Sequence, residues 1–239
     1  MATAAPHRLH PIVRDRLFFF VMALAIAATA ISGFSLQLAM GRSSFHAPWW
    51  VHVHGLTFMG WLGLYLVQNW LAWRGSVIDH QRLGRFAAVY VGWMVLVGVS
   101  VNTLATIHHR IPPFFEVNVF LVMDWTIVLV FAGLTWAAVR LRGASDWHRR
   151  LMLSGAIQVM VPGVARLLPL PLLGGWMLWG IGAALLPFMA AAVIYDLRMR
   201  GKVHRAYYWG FGAILTGLVL IRPIAFSPPL LALTHYLTA

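Results

Sequence analysis

The stretch FFEVNVFLVMDWTIVLVFAGLTWAAV, residues 114–139, is an apolar run that carries only two acidic side chains. An α-helix rises about 1.5 Å per residue, so a helix of this length crosses a hydrocarbon core about 30 Å thick. The run therefore predicts a membrane-spanning helix. The fold class follows from how often such runs recur along the chain.

Six further apolar runs flank this one. The chain is 61% hydrophobic and 10% charged, whereas an average soluble domain has roughly 25% charged residues. We therefore predict an all-α, polytopic membrane helix bundle that forms a single domain over residues 1–239. Its seven predicted spans are 17–39, 49–73, 86–108, 114–139, 151–172, 175–196 and 207–228. Pro162, Pro169, Pro171 and Pro223 are predicted to kink or end the fifth and seventh spans.

The basic residues predict the orientation of the bundle. Alternate connecting segments, beginning with the N-terminus, hold Arg8, Arg14, Arg16, Arg74, Arg82, Arg85, Arg140, Arg142, Arg149, Arg150, Arg198, Arg200, Lys202 and Arg205. The other segments hold only Arg42 and Arg110. Cytoplasmic loops accumulate Lys and Arg, so the bias predicts an N-in, C-out topology. It also accounts for the net charge of +12 through attraction to membrane lipids, without nucleic-acid binding.

The sequence lacks the residues that several functional classes require. The chain has no cysteine, which excludes disulfides and thiolate metal sites. It has no nucleotide-binding glycine loop and no nucleophile elbow. Its single lysine, Lys202, lies in a loop, so a retinal Schiff base within a span is excluded. Whether the protein is an enzyme stays open.

Histidines cluster where the second predicted span begins. The segment HAPWWVHVHG, residues 46–55, contains His46, His52 and His54. At 3.6 residues per turn, His52 and His54 point in nearly opposite directions. His54 begins a polar stripe on one helix face, which continues through Thr57, Trp61, Tyr65 and Gln68. Polar groups within a span usually face the bundle and mark a site, so His54 is the first candidate ligand.

Further polar residues fall at the same depth of the predicted bundle. They are His108, His109, Glu116, Asp124, Arg166 and Arg222. Haem b would use His54 with His109 or His108, and its propionates would meet Arg166 and Arg222. A Cu, Zn or Fe site would instead use His54, His109, Glu116 and Asp124. In a third interpretation, the carboxylates simply pair with the arginines. Spacing alone leaves all three open.

Loops on the arginine-rich side resemble one another. RGSVIDHQRL, residues 74–83, aligns without gaps on RGASDWHRRL, residues 142–151, and RGKVHR, residues 200–205, is a shorter copy. The repeat predicts three helical hairpins that place His80, His148 and His204 at equivalent positions. These histidines are either a ring of metal or haem ligands, or headgroup-level residues that bind lipid phosphate. The sequence favours the second interpretation.

Two resemblances to known groups of membrane proteins are carried by the histidine motifs. HVHG at the start of a helix, followed by GW, VQNW and RG…DHQRLGR, resembles uncharacterised bacterial seven-helix membrane proteins with an HxHG start and an HRxLG loop. More distantly, HVHGLTFMGW is similar to the His-x-His helix of haem- and copper-containing membrane proteins of the nitric-oxide response. The second resemblance implies His52 and His54 as ligands. Together they imply a multi-pass protein of the bacterial inner membrane.

These observations lead to one functional hypothesis and its alternatives. We expect a haem b-binding inner-membrane protein that acts in electron transfer or as a redox-linked membrane subunit. The alternatives are a non-redox accessory, binding or transport subunit that works with other membrane subunits, and a protein with a histidine and carboxylate metal site.

Overall fold

The computed structural model describes residues 11–239 and side chains from Val13 onward. The described chain is 84% helix and has no strand, which confirms the all-α prediction. His7, Arg8 and His10 lie outside the described residues.

Ten α-helices and one 3-10 turn follow one another along the described chain. The helices are α1 (Pro11–Ala39), α2 (Trp49–Arg74), α3 (Val77–Ile107), α4 (Val117–Arg140), α5 (Ser145–Val159), α6 (Val161–Ala165), α7 (Leu170–Leu173), α8 (Met177–Arg200), α9 (Arg205–Ala225) and α10 (Pro228–Thr238). The 3-10 turn, Gly174–Trp176, joins α7 to α8. The short helix α10 was not predicted, and it packs against α3, α4 and α9.

Five segments are long and apolar enough to cross a membrane, fewer than the seven predicted. They are Val13–Ala39, Val77–Ile107, Val117–Arg140, Leu170–Arg200 and Arg205–Ala225. The five long apolar helices are compatible with a multi-pass membrane protein. Helix α2 has 26 residues, but its polar stripe lowers its hydropathy. The predicted span 151–172 is not one helix, because the chain breaks before Pro162 and again before Leu170.

The long helices run alternately up and down through one bundle. At one end the start of α1 meets the end of α2, where the rings of Phe20 and Trp73 stack 5.3 Å apart. The end of α8 reaches the same place, since the Tyr195 hydroxyl donates a 2.8 Å hydrogen bond to Asp15. We call this the arginine-rich end. Helices α1, α3, α5 and α9 begin there, and α2, α4 and α8 end there.

Contacts at the opposite end complete the alternation. The side chain of Gln37, near the end of α1, donates a 2.8 Å hydrogen bond to the carbonyl of Arg166, which follows α6. The Asn118 amide at the start of α4 donates to the carbonyl of Ala225 at the end of α9 at 3.0 Å. The pair α5–α6 therefore spans the bundle from end to end, as do α2 and the five apolar segments.

Helix α5 lies at the centre of the bundle. Leu153, Ala156 and Ile157 are 0% exposed, and the helix contacts α4, α9, α1 and α8. Small residues let α1 and α6 come very close on one side of it. A Cβ added to Gly33 would lie 2.0 Å from the carbonyl oxygen of Gly163. This close approach of the two backbones sets the position of α6 against α1.

A network of charges ties three helices together at the arginine-rich end. Arg150 on α5 and Asp196 on α8 are both 0% exposed and form a doubly hydrogen-bonded ion pair. Arg149 pairs with Asp15 on α1 at 2.7 Å. Asp146 accepts hydrogen bonds from Arg149 and Arg200. Burial disfavours the Asp146 carboxylate, but the Arg200 hydrogen bond and the neighbouring arginines outweigh it and lower the pKa of this group.

Candidate functional site

The predicted histidines at the opposite end do not converge on one point. The Nε2 atom of His52 lies 3.1 Å from the Ala47 carbonyl oxygen, so this ring is bound to the preceding loop. His108 and His109 are exposed, and His109 has a left-handed backbone with φ of 50°. His54 stacks on Phe58 with ring centres 4.4 Å apart, and its Nδ1 is buried with no hydrogen-bond partner among the described residues.

Arg166 and Asp124 do lie near His54. A guanidinium nitrogen of Arg166 donates to the carbonyl of Pro162 at 2.7 Å, and the group lies 4.2 Å from the centre of the Phe34 ring. The charge of Arg166 is close enough to act on both Asp124 and His54. The structure therefore brings three of the predicted residues into one neighbourhood.

Arg222 and Glu116 lie elsewhere. Their side chains form a 3.3 Å ion pair and are 48% and 51% exposed, respectively. Arg222 therefore sits at the surface of the bundle and pairs with a carboxylate, as in the third interpretation. Among residues 13–239, no group of three or more His, Asp or Glu side chains is placed to hold a metal ion. The predicted metal set of His54, His109, Glu116 and Asp124 is thus not assembled.

A well-defined cavity lies near the arginine-rich end. Its volume is about 240 Å³, well above the roughly 150 Å³ of an apolar cavity that binds benzene. Residues of helices α1 to α5 line it. Its lining includes Arg16, Phe19, Trp61, Tyr65, Gln68, Asn69, Ala72, His80, Gly84, Ala87, Ala88, Val91, Thr135, Val139, Ser145, His148, Arg149 and Met152. The lower half of the predicted polar stripe on α2 forms one of its walls.

The cavity exists because one face of α3 carries small side chains. Gly84, Ala87 and Ala88 recur at helical spacing beyond His80, on the face turned toward α2 and α5. A Cβ at Gly84 would already lie 3.4 Å from the Gln68 side-chain nitrogen. Larger residues at these positions would fill the space, so the sequence of α3 leaves room beside its histidine.

His80 and His148 face each other across this space. Their ring centres lie 6.2 Å apart and their ring planes are inclined at 88°. The Nδ1 atom of His80 is 3.2 Å from the Gln68 carbonyl oxygen, and that of His148 is 2.8 Å from the Ala138 carbonyl oxygen. Because a carbonyl only accepts, each Nδ1 carries the proton and each Nε2 keeps a free lone pair.

Other polar atoms at the cavity lack partners within the described part of the chain. Gln68 is 8% exposed and Thr135 is 4% exposed. Neither the amide nitrogen and oxygen of Gln68 nor the hydroxyl of Thr135 has a hydrogen-bond partner, and Arg149 has a free Nε. Buried polar atoms are normally satisfied by protein, water or a ligand. The cavity therefore has the properties of a binding site for a molecule that can hydrogen bond.

For the histidines at this end of the bundle, the sequence favoured binding of lipid phosphate over ligation of a metal or haem. The repeated loops were the available signal, because they placed His80 and His148 at matching positions. His204, the third predicted member, lies apart from the cavity. Its ring packs against Trp147 at 5.4 Å, and its Nδ1 accepts a 3.1 Å hydrogen bond from the Ala206 amide. His204 is therefore the N-cap of α9 rather than a lining residue.

No family model, curated protein or solved structure matches this chain. The resemblances drawn from its motifs therefore stay predictions.

Proposed function

We propose that this chain is a seven-pass, N-in, C-out protein of the bacterial inner membrane that binds haem b and takes part in electron transfer. The observation that carries the proposal is the cavity lined by His80 and His148. It differs from the site expected at His54 and His109, which lies toward the other end of the bundle. The seven passes are supported by α2 and α5–α6, which run the full depth of the bundle beside the five apolar segments.

The chemistry of the lining supports haem over a bare metal ion. Protein zinc sites use three or four side-chain ligands, whereas a haem iron needs only one or two axial ligands from the protein. The cavity supplies two imidazoles and no carboxylate. Phe19, Trp61 and Val91 give it apolar and aromatic walls, which suit a porphyrin ring.

The charges of the lining also suit haem. Arg16 and Arg149 both reach the cavity, and arginines commonly meet carboxylates such as the haem propionates. Arg149 also pairs with Asp15 and Asp146, so Arg16 is the first candidate for a propionate. The free Nε of Arg149 offers a donor on that side. Bound haem would supply an iron that changes by one electron between ferric and ferrous states, while the protein holds it within reach of partners at the arginine-rich end.

Spectroscopy of the purified protein tests the proposal. The full chain, expressed with a haem precursor and purified in detergent, is expected to show a Soret band, a reduced-minus-oxidised spectrum on adding dithionite, and about one haem per chain by the pyridine assay. Elemental analysis should find iron in the same ratio. A monodisperse preparation that has no Soret band, and that gains none when incubated with hemin, contradicts the proposal.

A further inference from the structure

The two cavity histidines occupy the same place in two copies of one structural unit. His80 is the fourth residue of α3, and His148 is the fourth residue of α5. Each follows a helical hairpin turn, and each Nδ1 bonds to a carbonyl in the last two turns of the preceding helix. The repeated loops therefore present two equivalent imidazoles, one from each hairpin, to one cavity.

The distance between the ring centres is compatible with a metal ion shared by the two imidazoles. At a metal–nitrogen distance of about 2.0–2.1 Å, two imidazoles on opposite sides of one ion have ring centres about 6.3 Å apart. The ring centres of His80 and His148 are 6.2 Å apart. The backbone hydrogen bonds at Nδ1 hold both rings, which is how proteins commonly orient histidine ligands.

We infer that His80 and His148 are the two axial ligands of a single six-coordinate haem iron, one supplied by each copy of the repeat. This inference rests on the proposed function and goes beyond it, because it names the ligands and the coordination state. His204 has no share in it, since its Nδ1 already caps α9. Met152 and Tyr65 are the other side chains of the lining that could ligate iron.

The coordination state has consequences that a structural role for these histidines would not produce. Two strong imidazole ligands make the iron low-spin and leave no open position for carbon monoxide. The ring planes are inclined at 88°, so each of the two iron d orbitals that interact with the imidazole π systems meets one ring. The two orbitals are therefore nearly equal in energy. The ferric protein should therefore give the highly anisotropic electron paramagnetic resonance signal of perpendicular imidazoles.

Replacing each ligand in turn tests the inference. His80→Gly and His148→Gly should each bind haem in a five-coordinate, high-spin form, and their ferrous forms should bind carbon monoxide stoichiometrically, whereas the unmodified protein binds none. Added imidazole should enter the vacated space and restore the low-spin spectrum. Such rescue also shows that the variant is folded. The double variant should lose most of its haem.

Matched controls separate this inference from the proposed function. His54→Gly changes a histidine on α2 outside the cavity and should keep the low-spin spectrum. Met152→Leu tests an alternative ligand from the lining. If haem binds and His80→Gly and His148→Gly leave the spectrum unchanged, the ligand assignment is overturned while the proposed function stands. A change only in Met152→Leu would also overturn it. If the unmodified protein binds no haem, the proposed function itself fails.

Discussion

The ion pair between Arg150 and Asp196 joins α5 to α8 inside the bundle. Arg150 counted among the loop arginines that set the predicted orientation, yet its side chain is 0% exposed. Asp196 closes the pair and also accepts a 3.0 Å hydrogen bond from the His204 amide. The chain has only six acidic residues, so a carboxylate at the end of an apolar helix was an available hint of such a pair.

Removing the charge of Asp196 should strongly destabilise the protein. Asp196→Asn leaves a buried guanidinium without its counter-charge, a change that costs about 3–5 kcal/mol. The melting temperature in detergent should fall by several degrees or more. The matched control is Asp79→Asn, since Asp79 and Arg82 form a 3.9 Å pair that is 62% and 71% exposed. Exposed pairs contribute about 0–1 kcal/mol, and equal losses in both variants would contradict the assigned role.

Protonation of His204 should weaken the start of α9. Burial and the charge of Arg150 lower the pKa of this ring, so the folded state binds its proton less readily than the unfolded state. Stability from His204 is therefore complete above the unfolded pKa of about 6.5 and falls as the pH drops below it. The melting temperature should be lower at pH 5.5 than at pH 7.5. His204→Asn caps a helix without titrating, so it should reduce the difference, and an unchanged difference would exclude His204 as its source.

At the scale of helices, apolar runs predicted the existence of the long helices better than their ends. Prolines marked the interruption of the fifth span correctly, because α6 has Pro162 in its first turn and α7 has Pro171 in its first turn. The predicted stripe on α2 is also confirmed, since Thr57, Trp61 and Tyr65 are buried. Periodicity shows which face of a helix is inward, but it does not show which inward faces meet. The cavity depends on that second fact.

The contact between α1 and α6 should tolerate no side chain at Gly33. In Gly33→Ala the new Cβ would lie 2.0 Å from a backbone oxygen of Gly163, and backbone cannot move aside as a flexible side chain can. Overpacking of this kind costs about 1–3 kcal/mol or more, so the melting temperature should fall. In Gly133→Ala, on α4, the added carbon meets nothing within 4 Å. That control should be neutral or slightly stabilising because alanine favours helix, and a similar loss in both variants would contradict the close contact.

For the whole molecule, hydropathy leaves α2 and α5–α6 out of the candidate membrane spans, although both run through the depth of the bundle. Composition alone identifies five segments that can cross a membrane, while contacts at both ends of the bundle show α2 and α5–α6 running the same depth. Helix α2 is less apolar because its inward face lines the cavity with Gln68 and Asn69. A helix that lines a polar cavity has a lower mean hydropathy for that reason, so hydropathy alone does not identify it as a membrane span.

Reporter fusions distinguish seven passes from five. Alkaline phosphatase is active only outside the cytoplasm. Green fluorescent protein fluoresces only inside the cytoplasm, because it does not fluoresce when it has been exported in an unfolded state. Truncations joined to each reporter at Gly75, Arg110 and Gly143 should lie inside, outside and inside, respectively, for seven passes with the N-terminus inside. If α2 and α5–α6 do not cross, the same three junctions should report outside, inside and outside.

A fourth junction at Ala239 completes the test of orientation. It should report outside for both seven and five passes when the N-terminus is inside, and inside for either count when the N-terminus is outside. The four readings together therefore give a different pattern for each combination of span number and orientation. The arginine bias predicts inside, outside, inside and outside in chain order. Any other pattern would contradict the topology, and a reversal at all four junctions would move the histidine cavity to the outer face of the membrane.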